Sequence, residues 1–127
     1  MRQQIGRVAI YCRTARYDDD AIAQQEILLR LLAEERGYTH LEIFIDNGVS
    51  GLSFNRPALA ELEKCIASGE VTAILVTDIS RIGRDLTQTI AWIRECFEKG
   101  TEVIDASGSY PRLPSTRAIP TDGGERK

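Results

Sequence analysis

The sequence predicts an α/β fold, a mostly parallel sheet flanked by helices, and three observations carry that reading. Short apolar runs suited to strands alternate with longer stretches whose apolar residues recur at three and four spacing. Glycines stand where helical stretches should stop, at Gly37, Gly69 and Gly100. The run Ala73-Ile74-Leu75-Val76 is apolar at every position, as expected of a central strand buried on both faces.

The first strand is expected over Arg7 to Cys12. A polar loop follows, and Asp18, Asp19 and Asp20 sit at the mouth of the first helix, where carboxylates suit the positive end of its dipole. Ile22, Gln25, Leu28, Leu29, Leu32 and Ala33 mark the inward stripe of that helix. The second strand runs from about Leu41 to Asp46. Pro57 suits the first turn of a second helix that buries Leu59, Leu62 and Ile66. Ala73 to Val76 forms the third strand. From Asp85 a third helix is expected to place Leu86, Ile90, Ile93 and Phe97 on one stripe, with Trp92 beside it, before a fourth strand at Thr101 to Ile104.

A chain of 127 residues is one domain with room for a proper core. The domain is expected to span residues 1–108. Beyond it, Pro111, Pro114, Pro120, Gly123 and Gly124 interrupt any apolar period, so 109–127 reads as an extended or disordered tail. The apolar runs are too short for a membrane span, and Arg2 and Arg7 are not followed by a signal-peptide core, so the expected location is cytoplasmic. Cys12, Cys65 and Cys96 are an odd set without Cys-x-x-Cys spacing, and His40 is the single histidine, which points to packed thiols rather than a metal site or a disulfide framework. Strand alternation turns Cys12 away from the side that Arg13 faces. Tyr38 and His40 read as packing and turn residues, and Gly48, Gly51 and Gly83 make no nucleotide-binding fingerprint. A net charge of −3 argues against strong binding of duplex DNA by this chain alone, because phosphate neutralisation supplies most non-specific affinity.

In an open α/β sheet, ligands sit beyond the carboxyl ends of the strands, and Arg13, Ser50 and the segment Ser80 to Arg84 all follow such ends. Arginine suits a phosphate there: its planar fork donates parallel hydrogen bonds to phosphate oxygens, and its charge cannot be titrated away. Arg13, Arg56, Arg81 and Arg84 are the four candidates. Arg81 and Arg84, three apart, would share a face on a helical turn and converge on one phosphate.

Four ordered blocks carry a resemblance to a known family. Tyr11-Cys12-Arg13-Thr14-Ala15 resembles the Tyr-x-Arg-Val-Ser with which the first strand ends in the serine recombinase catalytic domain of resolvases and invertases. Gln25 matches a glutamine on that family's first helix. Asp46-Asn47-Gly48-Val49-Ser50-Gly51, with Arg56, is similar to its Asp-x-x-x-Ser-Gly loop and the arginine opening its second helix. Ile79-Ser80-Arg81-Ile82-Gly83-Arg84 is similar to its Leu-Asp-Arg-Leu-x-Arg signature. The resemblance implies a three-layer, mostly parallel sheet of four to five strands and a reaction that cleaves and exchanges DNA strands through a phosphoserine link, with no metal and no cofactor. It makes Arg13, Arg81 and Arg84 phosphate contacts, Arg56 a further cation, and Gln25, Asp46 and Ser50 supporting groups. Family members continue into a dimer-forming helix and a DNA-binding domain, neither of which is legible in this sequence.

Two departures matter. Ala15 stands where the attacking serine belongs, and Ser80 stands where the family usually has aspartate. An alanine has no oxygen to attack with, so the covalent step cannot run through residue 15. Thr14 should point to the opposite side of the strand, and Ser80 faces the rim with no histidine or obvious base beside it. The expectation is therefore a site-specific recombinase catalytic domain of a mobile element, impaired in cleavage. It would engage DNA weakly without a separate DNA-binding domain and be capable of a homodimer. The alternative is a non-enzymatic regulatory module that pairs with an active recombinase. A third possibility is an unrelated phosphate-binding protein, which would hold Arg13 and Arg81 too far apart to share one ligand.

Overall fold

A computed structural model describes residues 7–52 and 55–108. Eight elements follow one another: β1 (Arg7–Thr14), α1 (Asp19–Glu35), β2 (Leu41–Asn47), α2 (Pro57–Ala67), β3 (Val71–Val76), a 3-10 turn (Ile79–Arg81), α3 (Leu86–Glu98) and β4 (Glu102–Asp105). The four strands form one sheet in the order β2-β1-β3-β4, and every pairing is parallel. Because β2 lies on one side of β1 and β3 on the other, the order reverses between β1 and β3. That crevice at the carboxyl edge is where open α/β sheets place their ligands.

Both faces of the sheet are covered. One face packs Val8, Ile10, Cys12, Ala73, Leu75 and Ile104 against Ile22, Leu29 and Ala33 of α1. The other packs Ala9, Tyr11, Phe44, Ile74 and Val76 against Leu62 and Ile66 of α2 and Ile93 and Cys96 of α3. β1 and β3 are the inner strands and are buried almost throughout, which is why their sequences read as apolar runs rather than alternations. Cys12 lies on the α1 side and Tyr11 on the other, the alternation expected of a strand.

Local chemistry fixes the ends. Asp18 caps α1 by accepting the Ala21 N–H at 3.0 Å, and Asp85 caps α3 through the Gln88 N–H at 3.0 Å. Pro57 opens α2. Tyr38 packs against the α1-side core, and the His40 carbonyl accepts the Val8 N–H.

Several sequence expectations need correction. β1 runs two residues beyond Cys12, so Arg13 and Thr14 are strand residues paired with Asp46 and Asn47. In α1, Leu28 is 49% exposed and shares the outer surface with Ile27 and Leu31. In α3 the buried stripe is Thr89, Ile93 and Cys96, while Leu86 is 63% and Phe97 37% exposed. The apolar period there was legible, but Ile93 belongs to two possible stripes, and the small residues Thr89 and Cys96 won the tighter contact with the sheet. Trp92 is half-buried, packs on the same core and donates to Glu63 Oε2 at 2.8 Å. No helix among the described residues is long and apolar enough to cross a membrane. The tail expected over 109–127 lies outside the described residues.

Candidate phosphate-binding rim

The carboxyl edge around β1 and β3 is built on two buried arginines. Arg13, 2% exposed, points to the Tyr11 side and donates to three backbone carbonyls: Nε to Arg81 O, Nη1 to Val49 O and Nη2 to Ser80 O, each at 2.8 Å. One guanidinium thus ties the loop after β2 to the 3-10 turn after β3. Burial first, and then repulsion from Arg56, pulls its pKa below the usual arginine range. A guanidinium still carries its charge at neutral pH.

Arg56 closes the same frame from the start of α2. Its Nη2 donates to Arg81 O at 2.8 Å and to the Tyr11 hydroxyl at 3.0 Å, and its guanidinium lies 5.7 Å from the centre of the Tyr11 ring. Among the described residues its buried Nε has no hydrogen-bond partner. Tyr11 in turn donates to Asp46 Oδ2 at 2.7 Å, and burial pushes its hydroxyl pKa well up, with the Asp46 bond adding to the effect. Asp46 also accepts the Ala58 N–H at 2.9 Å and the Leu59 N–H at 3.1 Å, so it caps α2 from the end of β2.

Gln25 completes the frame from the opposite face of the sheet. Its Oε1 accepts the Arg13 N–H at 3.1 Å and its Nε2 donates to Arg13 O at 3.0 Å. β1 outruns β3 here, since the β1 to β3 register is carried by Arg7 to Ile10, and the side-chain amide supplies the pairing that the shorter strand does not.

Arg81 and Arg84 are the less buried cations. Arg81 donates through Nη1 to Arg13 O at 3.3 Å and through Nε to Thr77 Oγ1 at 3.4 Å, with Asp78 Oδ2 4.0 Å from its Nε. It therefore lies directly against the end of β1. Arg84 is exposed, and among the described residues its side chain has no hydrogen-bond or ion-pair partner. The two do not share a helical turn as the spacing suggested, because the 3-10 turn ends at Arg81 and Arg84 follows it in irregular backbone. Gly51 brings Arg84 and Arg13 together: an added Cβ would lie 2.7 Å from Arg84 Cγ and 2.9 Å from Arg13 Nη2.

The remaining residues of interest are distributed as follows. Ala15, assigned to the nucleophile position by the resemblance, is exposed at the end of β1. Thr14 is buried; its hydroxyl donates to Asn47 Oδ1 at 2.7 Å and accepts the Gly48 N–H at 3.1 Å, away from the arginines. Ser50 is exposed and accepts the Leu52 N–H at 3.1 Å. Ser80 is exposed and donates to Asp78 Oδ1, whose carboxylate also accepts the Ser80 N–H at 2.9 Å. The sequence reading found no base beside Ser80 and missed Asp78. The signal was the pattern Asp-x-Ser at the start of a turn, in which a carboxylate reaches the N–H and hydroxyl two residues on. Cys12, beside Arg13 in sequence, is packed under α1 with its thiol pushed up to about 12 by burial.

Comparison with known proteins bears on the family and the fold. A family model described as "Resolvase, N terminal domain" matches residues 8–120. No curated protein sequence matches the chain. Among solved structures, the N-terminal catalytic domain of TP901-1 integrase is 26% identical, with a TM-score of 0.74 over 81% of this chain and 79% of that one. The C-terminal catalytic domain of ISC1926 TnpA, described as an IS607-like serine recombinase, is 25% identical, with a TM-score of 0.74 over 84% of this chain and 71% of that one. A resolvase family site-specific recombinase from Streptococcus pneumoniae shares the fold at 20% identity, with a TM-score of 0.71 over 84% of this chain and 75% of that one.

Proposed function

Because the chain belongs to the resolvase N-terminal domain family, the serine recombinase catalytic domains, we propose that it is a DNA-phosphate-binding recombinase domain whose strand-cleavage step does not run through residue 15. Arg81 and Arg84 contact the scissile phosphate. Arg13 and Arg56 hold the loops that carry them and add positive charge from behind, where low dielectric strengthens it. Gln25 and Asp46 fix the two ends of that frame, and Ser50 closes the loop that meets Arg84.

The observation that carries this reading is the convergence of Arg13 and Arg56 on the single carbonyl of Arg81, at 2.8 Å each. Two buried cations spent on one turn make sense where the next residues must be held against a ligand's negative charge. Ala15 directly follows the last residue of β1 and carries no oxygen, which supports impaired cleavage at that position.

The domain fused to a sequence-specific DNA-binding module, and its Ala15→Ser twin, are incubated with supercoiled plasmid and run on a denaturing gel. Protein-DNA adducts at residue 15 from the twin support an intact cleavage scaffold. A twin that forms none, although its plasmid binding is intact, removes the assignment of position 15.

A second reading has one observation in its favour. Leu86, Ile90 and Phe97 face outward or half outward on α3, an apolar stripe on a domain that lacks the expected serine. On this reading the chain pairs with an active recombinase and regulates it. Mixed oligomers that change the partner's recombination rate are the expected result.

A further inference from the structure

Hydroxyl groups on the rim differ in what they face. Thr14 Oγ1 is buried and committed to Asn47. Ser50 Oγ is exposed, and among the described residues its hydrogen bond is to a backbone N–H. Thr77 Oγ1 accepts from a guanidinium. Ser80 Oγ alone of these four joins exposure to a carboxylate, through its bond to Asp78 Oδ1.

Its surroundings supply what a nucleophilic hydroxyl requires. The backbone is fixed from behind, since Arg13 holds Ser80 O and both Arg13 and Arg56 hold Arg81 O, each at 2.8 Å. A proton acceptor is hydrogen-bonded to the oxygen. That acceptor's second oxygen lies 4.0 Å from Arg81 Nε, which ties the carboxylate to the cation assigned to the phosphate.

We propose that Ser80 is a nucleophile toward phosphodiesters, with Asp78 as its proton acceptor. This rests on the reading of the rim as a phosphodiester site. Ser80 Oγ forms a bond to phosphorus as its proton passes to Asp78. The bond from phosphorus to the leaving oxygen breaks, and the proton on Asp78 passes to that oxygen as it departs as an alcohol. One phosphodiester is exchanged for another, so atoms and charge balance without a co-reactant. The attacking group sits in the 3-10 turn that follows β3 rather than directly after β1.

The test uses the 127-residue chain and two probes. Dimethyl phosphate, an unreactive phosphodiester, reports occupancy of the rim by broadening of its phosphorus NMR line. Bis(p-nitrophenyl) phosphate, whose phenolate leaves without needing a proton, reports attack through an intact-mass adduct and peptide mapping. The expected result is an adduct on Ser80 that disappears in Ser80→Ala, persists in Ser80→Thr and forms about 100-fold more slowly in Asp78→Asn, the effect of losing a general base. An adduct mapped to another residue, or retained in Ser80→Ala, overturns the inference. Broadening of dimethyl phosphate with no adduct overturns the inference alone, leaving the rim a binding site. Absence of broadening overturns both this inference and the phosphate-site reading beneath it.

Discussion

Replacing Arg13 by lysine separates a clamp from a phosphate contact, because the charge survives and the fork does not. The guanidinium serves carbonyls of Val49, Ser80 and Arg81 with three different nitrogens. An ammonium donates from one point and reaches one of them, so two charge-assisted bonds are lost. At about 1–2 kcal/mol each, allowing for partial access of water to the freed carbonyls, Arg13→Lys destabilises the domain by about 2–4 kcal/mol. With about 4 °C per kcal/mol for a domain of this size, the midpoint of thermal unfolding falls by about 8–16 °C. Circular dichroism follows the transition, and urea unfolding supplies the free energy. At low temperature, where the variant is folded, dimethyl phosphate should still broaden. A variant as stable as the parent to within about 0.5 kcal/mol, the range of an ordinary surface substitution, but blind to dimethyl phosphate, would refute the clamp and return Arg13 to the ligand.

Other perturbations give equally direct readings. Gly51→Ala sets a methyl group against Arg84 Cγ and Arg13 Nη2; Arg84 can swing away, the buried guanidinium cannot, and a loss of about 1–3 kcal/mol is expected in urea titration together with weaker dimethyl phosphate binding. Burial pushes the thiols of Cys12 and Cys96 up to about 12, whereas unfolded thiols ionise near about 8.5. Above that pH the unfolded chain sheds protons that the folded chain keeps, so the thiols' contribution to stability is fully present below about pH 8 and is lost as pH rises toward 12. Urea midpoints at pH 7.5 and 10.5 check this, and Cys12→Ala should remove about half of the difference, the rest belonging to Cys96. Asp46→Ala deprives Tyr11 and the first turn of α2 of their shared acceptor and should cost about 3–5 kcal/mol by the same titration.

The order of elements was legible because each strand and helix carries its own period, and the inner strands β1 and β3 stand out as unbroken apolar runs. Helix faces were less legible. In α3, Ile93 fits two stripes, and only the sheet decides that Thr89 and Cys96 go inward while Leu86 goes out. Within the rim, Arg81 and Arg84 could be found by position after a strand end, and Arg56 by resemblance, but the arginines' division of labour could not: whether a guanidinium meets solvent or three carbonyls depends on loops distant in sequence. Gln25 was found by resemblance, while its role as a surrogate strand partner follows from β3 being shorter than β1. Asp78 was overlooked because its contact is a local turn whose meaning depends on what lies beside it.

Gln25 has a mechanical consequence. It belongs to the helix that covers one face of the sheet, while the arginine side chains it supports emerge on the other. Any slide of α1 along its axis must either break both amide bonds or drag the Arg13 peptide with it, and through that peptide the carbonyls of Val49, Ser80 and Arg81. Ile27, Leu28 and Leu31 form an exposed ridge on the same helix, within two turns of Gln25. A load applied to that ridge is delivered across the sheet to the rim, so α1 is a lever with the central strand as its fulcrum.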